Sequence, residues 1–274
     1  MSHKIALLSD THMPERWHKI PETLPNIFKD ADLILHAGDV GELWVLDQLS
    51  AIAPVVAVHG NDEPQAAIDH LPLTQIVTIG GIRILVWHSH YTDRVDEMES
   101  RRLPEMRPKL ERIARYGQRV GASIVHFGHW HIPLQCEIEG VTLVNAGGIA
   151  SGNFITRQQI QTVALLTIEE DGRFQISHYN LADGRPYTPA DITGTDFATA
   201  ARPYFGSILT PELQEKVPHL HGNRVLYETL KELAPPCWWG GKSALTTADF
   251  TTALQQISPQ TAETYHALDL LSQN

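Results

Sequence analysis

Lys4-Ile5-Ala6-Leu7-Leu8-Ser9-Asp10-Thr11-His12 is the stretch that decides how this chain is read. An apolar run of strand length passes without a break into a polar tail, as expected of a strand buried on both faces whose end emerges at the rim of a sheet. Residues 33–36 and 55–58 repeat the pattern, and the segments between, about 20–29 and about 43–50, have helical character. That alternation predicts an α/β fold. Residues 75–79 and 82–87 flank Gly80-Gly81 and read as a hairpin, so the sheet is expected to be mixed. Residues 104–120 have helical periodicity, and 123–127, 141–144, 162–168 and 174–179 read as further strands, the last two joined at Asp171-Gly172. The count is roughly ten strands with a few helices.

The chain has 274 residues, 42% hydrophobic and 19% charged, enough for one large domain or a domain with an extension. Its longest apolar stretches, 52–58 and 82–87, fall well short of the roughly 20 residues a membrane helix needs. The N-terminus enters its first strand without a basic leader or cleavage site, so a cytoplasmic protein is expected. Cys136 and Cys237 show no paired spacing, which excludes a disulfide scaffold or zinc ribbon. A net charge of −11 works against a polyanionic partner such as nucleic acid. Beyond Ala182, Gly184, Pro186, Pro189 and Gly194 mark a linker, and 211–217, 223–233, 247–256 and 259–271 read as short helices. The expected division is 1–182 and a small helical extension, 183–274, with no solenoid repeat.

Five segments present metal-ligand residues directly behind predicted strands: Asp10-Thr11-His12, Gly38-Asp39, Gly60-Asn61-Asp62, His88-Ser89-His90 and Gly128-His129-Trp130-His131. The carboxyl ends of strands in an α/β sheet converge on one crevice, so residues far apart in the chain can meet there. Taken singly, each segment reads equally as a turn or a helix cap; succession behind strands favours ligands. The other histidines show no comparable pattern, and His36 and His126, inside apolar runs, read as core or as support behind the ligands.

The order D-x-H, GD, GN, H, GHxH resembles the calcineurin-like metallophosphoesterases, and within them the small YfcE-type phosphodiesterase branch, over approximately residues 4–180. The resemblance implies a four-layer α/β/β/α sandwich of two mixed sheets and a dinuclear metal-dependent phosphoesterase, with a phosphodiesterase first. A phosphomonoesterase, a nucleotide pyrophosphatase or a non-catalytic scaffold of the same fold are the alternatives. It implies one ion on Asp10, His12, Asp39 and His131, and a second on Asp39, Asn61, His88 and His129, with Asp39 bridging. Manganese stands first among Mn, Fe, Zn, Ni and Mg, all of which suit such mixed oxygen and nitrogen donors. Two carboxylates and one metal-bridging hydroxide against two dications leave about one positive charge, which attracts a small phosphorylated substrate. A homo-oligomer remains open.

Two residues beside the ligands are read as catalytic. Asp62 fills the slot where relatives carry a histidine or cysteine, and would act as a general acid if its pKa were raised, or else as a hydrogen-bond acceptor. His90, behind a Ser89 that replaces the usual glycine, would touch substrate or support a ligand. The arginines of residues 94–119 read either as an exposed helix with i, i+4 pairs such as Glu111 with Arg115 or as a phosphate-binding cap. Gly240-Gly241-Lys242-Ser243 lacks the first glycine and the leading strand of a phosphate loop. Trp238-Trp239 reads as a packing anchor or interface patch.

Overall fold

A computed structural model describes residues 2–257 and 259–272. In chain order the strands are β1 His3–Leu8, β2 Leu33–His36, β3 Val55–Ala57, β4 Thr74–Ile79, β5 Ile82–Trp87, β6 Ile124–Phe127, β7 Leu134–Ile138, β8 Val141–Asn145, β9 Thr156–Gln158, β10 Thr162–Ile168, β11 Phe174–Asn180, β12 Pro186–Tyr187 and β13 Phe205–Ser207. The helices are α1 Leu24–Phe28, α2 Trp44–Ser50, α3 Gln65–His70, α4 Arg94–Arg102, α5 Met106–Arg119, α6 Phe197–Ala201, α7 Pro211–Glu215, α8 Val217–Gly222, α9 Arg224–Leu233, α10 Pro235–Trp238, α11 Thr247–Gln256 and α12 Ala262–Ser272.

Two mixed sheets carry the fold, one in the order β12-β11-β10-β1-β2-β3 and one in the order β4-β5-β6-β8-β7. Alternation along β1 explains how they stack. Ile5 and Leu7 point one way, into a core shared with Ile84, Val86, Ile124 and Val144 of the second sheet. Ala6 and Leu8 point the other way, onto Leu24, Phe28, Val45 and Leu49 of α1 and α2. On the far side of the second sheet, α5 buries Leu110, Ile113, Ala114 and Gly117 against β6, β7 and β8. The layers are therefore helix, sheet, sheet, helix.

Register is what makes a site. Leu8, His36 and Ala57 stand level across the parallel strands β1, β2 and β3, and Trp87, Phe127 and Asn145 stand level across β5, β6 and β8. The residues that follow leave both sheets at a common rim. Core histidines tie that rim together: His126 Nε2 donates to the Leu8 carbonyl at 3.1 Å and His178 Nε2 to the Asn145 carbonyl at 2.9 Å.

Burial drives His178 down to about 4, against the opposing hydrogen bond to Asn145. The unfolded imidazole, near 6.5, then binds protons at a higher pH than the folded one, so stability is complete above about 6.5 and falls as pH drops toward 4. His178→Gln, which keeps a donor for Asn145, is expected to remove about 2 kcal/mol of that acid loss between pH 7.5 and pH 5. Urea melts of both proteins at pH 7.5 and pH 5 read it; equal pH slopes would show that His178 is not buried neutral.

The chain divides into two compact units, residues 1–152 with 158–204, and residues 153–157 with 205–274. Residues 183–204 thus go with the sheets rather than with the helical extension, because β12 pairs with β11, and the Met106 amide donates to the Thr195 carbonyl at 3.0 Å. The second unit has its own apolar core, including Leu213, Leu226, Leu230, Trp238, Phe250 and Leu254. Trp238 is an internal anchor there, while Trp239 is 41% exposed.

Candidate metal centre

Four of the sequence-predicted ligands, Asp10, His12, Asp39 and His131, are buried and offer one donor atom each within 4.8 Å of one another. His131 Nε2 lies 3.2 Å from Asp10 Oδ1, and His12 Nε2 lies 3.4 Å from Asp39 Oδ2, with the two imidazoles stacked 5.3 Å apart. From the other side His88 Nε2 approaches the same Asp39 Oδ2 to 3.2 Å. The edge of His129 faces the His88 ring at 5.1 Å between centroids. Asn61 is exposed, in the middle of the loop between β3 and α3.

Four of the candidate ligands are fixed by a backbone partner. His88 Nδ1 bonds the Ala37 carbonyl at 2.8 Å and His131 Nδ1 the Ala150 carbonyl at 2.7 Å, which leaves Nε2 as the inward donor of each ring. Asp39 Oδ1 accepts the Asp62 amide at 2.9 Å, and Asp10 Oδ1 accepts the His129 amide at 3.0 Å. Gly60 is needed for this closeness: a Cβ there would overlap the Asp39 carboxylate.

The backbone itself marks the site. Among the described residues seven non-glycine residues have positive φ, and five of them are Asp10, His12, Asp39, His129 and His131, at 43° to 72°. Ser89, between His88 and His90, is the sixth at 72°; Glu139 alone lies elsewhere. Left-handed backbone costs an L-residue of order 1 kcal/mol or more, so its confinement to one crevice points to function. At Ser89 the strain falls where glycine would be relaxed, and Ser89 Oγ is buried without a hydrogen-bond partner. Ser89→Gly is therefore expected to stabilise the metal-free protein by about 1 kcal/mol, the relief of strain and of the unpaired hydroxyl exceeding the entropy of glycine. Chemical denaturation checks it; a loss of stability would mean that the hydroxyl has a partner.

Charges in the crevice oppose their own burial. Burial would raise Asp39, yet His88 and His12 hold it well below the usual carboxylate range. Burial would lower His88, yet Asp39 and Asp10 raise it to about 9. Burial, with Arg16 beside it, drives His12 far down, and burial with the charge of His88 does the same to His129. Most telling, His12 Nε2 and His88 Nε2 are buried without a hydrogen-bond partner although both face Asp39. Imidazole nitrogens left bare on either side of one carboxylate fit a shared cation chemistry, not a hydrogen-bonded core.

Residues 3–171 match the calcineurin-like phosphoesterase superfamily domain. The chain belongs to that superfamily. Calcineurin-like phosphoesterases are metal-dependent hydrolases of phosphoesters, and the four buried donors form a candidate metal site here. A probable metallophosphoesterase of Methanothermobacter thermautotrophicus is 34% identical over 143 residues, covering 52% of this phosphoesterase and 75% of the relative. One of Methanocaldococcus jannaschii is 29% identical over 167 residues, covering 61% and 76%. Among solved structures, wild-type Vps29 of Entamoeba histolytica complexed with Zn2+ has a TM-score of 0.51 at 21% identity, covering 71% of this chain and 99% of Vps29. That likeness is one of fold.

Two arginines of this phosphoesterase have roles that the sequence reading did not see. Arg16 is buried, at 1% exposure; its Nη1 donates to the Ser151 carbonyl at 3.0 Å and its Nη2 pairs with Asp62. The pair braces Asp62 3.9 Å from His12 Nδ1. Arg112 donates to the Ser89 and His90 carbonyls at 2.8 and 3.1 Å. The remaining arginines of α4 and α5 give little support to a phosphate-binding cap. Arg94 and Arg101 pair with Glu97, and Arg107 pairs with Glu111, which takes the partner expected for Arg115. His90 is 8% exposed, its Nδ1 buried without a partner and its ring among those of His59, His88 and His129.

Proposed function

We propose that the crevice holds two divalent cations, manganese the first candidate, and hydrolyses a P–O bond of a small phosphodiester. One ion would rest on Asp10, His12, Asp39 and His131, the other on Asp39, Asn61, His88 and His129. The observation that carries this reading is the pair of bare imidazole nitrogens converging on one Asp39 oxygen. When bound, two such ions supply a water of lowered pKa and polarise the phosphoryl oxygens.

The chain's own residues do the rest. Asp39, whose Oδ2 faces His12 on one side and His88 on the other, is the donor placed to serve both ions. His12 and His131, stacked 5.3 Å apart, keep one face of the crevice planar, and His88 and His129 close the other. Asn61 adds a neutral amide oxygen at the exposed edge, where a phosphoryl group would enter. A carboxylate paired with a guanidinium is a poor proton donor, so Asp62 serves in this reading as a negative charge held by Arg16 near His12, not as the general acid. His90 is the side chain placed to meet the substrate beside His88.

Metal analysis of the purified protein, with a panel of phosphodiesters, phosphomonoesters and dinucleoside polyphosphates, tests the proposal. The expected result is about two ions per chain and hydrolysis of bis-p-nitrophenyl phosphate that chelation abolishes and Mn2+ restores. Faster turnover of monoesters would replace the diester by a phosphomonoesterase. A protein inert with every added cation would leave a scaffold.

A further inference from the structure

We propose that Arg112 is a positioning residue for His88, acting through the backbone of the turn that carries it; the inference rests on the two-ion reading above. Arg112 lies on α5, on the outer side of the second sheet, and is half-buried. Its Nη1 and Nη2 reach the carbonyls of Ser89 and His90, two successive peptides, at 2.8 and 3.1 Å. The guanidinium is stacked on Tyr91, 3.7 Å from the ring centroid, and lies 4.8 Å from the Trp87 ring. One turn on, Tyr116 stacks on Trp87 at 4.5 Å. One face of α5 thus grips Trp87, Ser89, His90 and Tyr91, the residues on both sides of His88.

That grip matters because of the turn's conformation. Ser89 has φ 72°, a strained position for any residue with a Cβ, and its own hydroxyl contributes no hydrogen bond. Apart from its approach to Asp39, the His88 ring is held at its far nitrogen by the Ala37 carbonyl, just past β2. Two charge-assisted hydrogen bonds from a planar fork hold the next two carbonyls and so fix the direction in which the ring leaves β5. A lysine can supply the charge and one bond but not the fork. His12, Asp10 and His131 stand on other loops and owe nothing to Arg112.

The consequence is selective. Arg112→Met should leave one Mn2+ site at wild-type affinity and weaken the other by about 10–100-fold, the usual cost of losing a residue that orients a ligand. Arg112→Lys should fall between the two, and Arg115→Met, at an exposed neighbouring position, should change nothing. Calorimetric titration with Mn2+ alone gives both affinities, and kinetics on bis-p-nitrophenyl phosphate should show a raised activation constant for Mn2+ with kcat recovered at saturating metal. Millimolar guanidinium ion added to Arg112→Ala should restore the weakened site. Wild-type protein that binds fewer than two ions would overturn the two-ion reading itself. Two ions in wild type with both affinities unchanged in the folded Arg112→Met and Arg112→Lys proteins would overturn the role of Arg112. So would lowered melting temperature with unaltered titration curves, since that is what simple packing predicts.

Discussion

Asp39→Asn is expected to abolish binding of both ions and to lower kcat/KM by about 10³-fold, about 4 kcal/mol of transition-state stabilisation. The reasoning starts from one oxygen. Asp39 Oδ2 is approached by His12 at 3.4 Å and by His88 at 3.2 Å, one from each half of the crevice, while Oδ1 is taken up by the Asp62 amide. An amide side chain of the same shape keeps the packing but removes the negative charge that two cations would share. His12→Ala, by contrast, removes a neutral donor from one half, and Asp10, Asp39 and His131 remain. Its expected cost is confined to one ion. Metal content by emission spectroscopy and kcat/KM at saturating Mn2+, measured on both variants, separate the two cases. Two retained ions and a wild-type rate in Asp39→Asn would show that the bridge is elsewhere.

The order of these effects could be foreseen because the rim of the sheets is legible in the sequence. Strands covered on both faces write themselves as apolar runs, and β2, β5 and β10 begin and end where those runs do. β7 was not foreseen, because Leu134, Cys136 and Ile138 alternate with Gln135 and Glu137 and leave no run; it is an edge strand with one wet face. The cluster of Asp10, His12, Asp39 and His131 was legible because each follows a strand, and the register of the sheets brings the strand ends level. The residues that hold them were not. Arg16 and Arg112 donate mainly to carbonyls that any residue would offer, 135 positions away in the case of Ser151 and 23 in the case of Ser89. No spacing encodes such a bond. His178 escaped notice for the same reason, since its partner is the backbone of Asn145. The linker composition after Ala182 was read as a boundary, but proline and glycine mark turns as well as linkers, and the turn at 183–185 only folds β12 back onto β11.

That return of the chain sets up the second large effect. A protein ending at Leu181 is expected to be less stable than one ending at Tyr204 by at least about 3 kcal/mol, counting roughly 1 kcal/mol for each of three of the backbone hydrogen bonds it loses, besides those between β11 and β12. These run from Met106 to Thr195 at 3.0 Å, from Phe197 to Pro104 at 2.8 Å and from Gln159 to Tyr204 at 2.8 Å. The shorter protein also loses Phe197, whose ring meets Trp130 edge-on at 6.2 Å. Trp130 stands between His129 and His131, so its support bears on two of the proposed ligands at once. Both truncations keep every motif residue, and a boundary at 182 predicts equal metal binding. The packing of Phe197 on Trp130 predicts otherwise: two Mn2+ ions in the protein ending at Tyr204, and weakened binding with an earlier urea midpoint in the one ending at Leu181. Equal midpoints and equal titration curves would return residues 183–204 to the extension and leave Trp130 without a role in holding its neighbours.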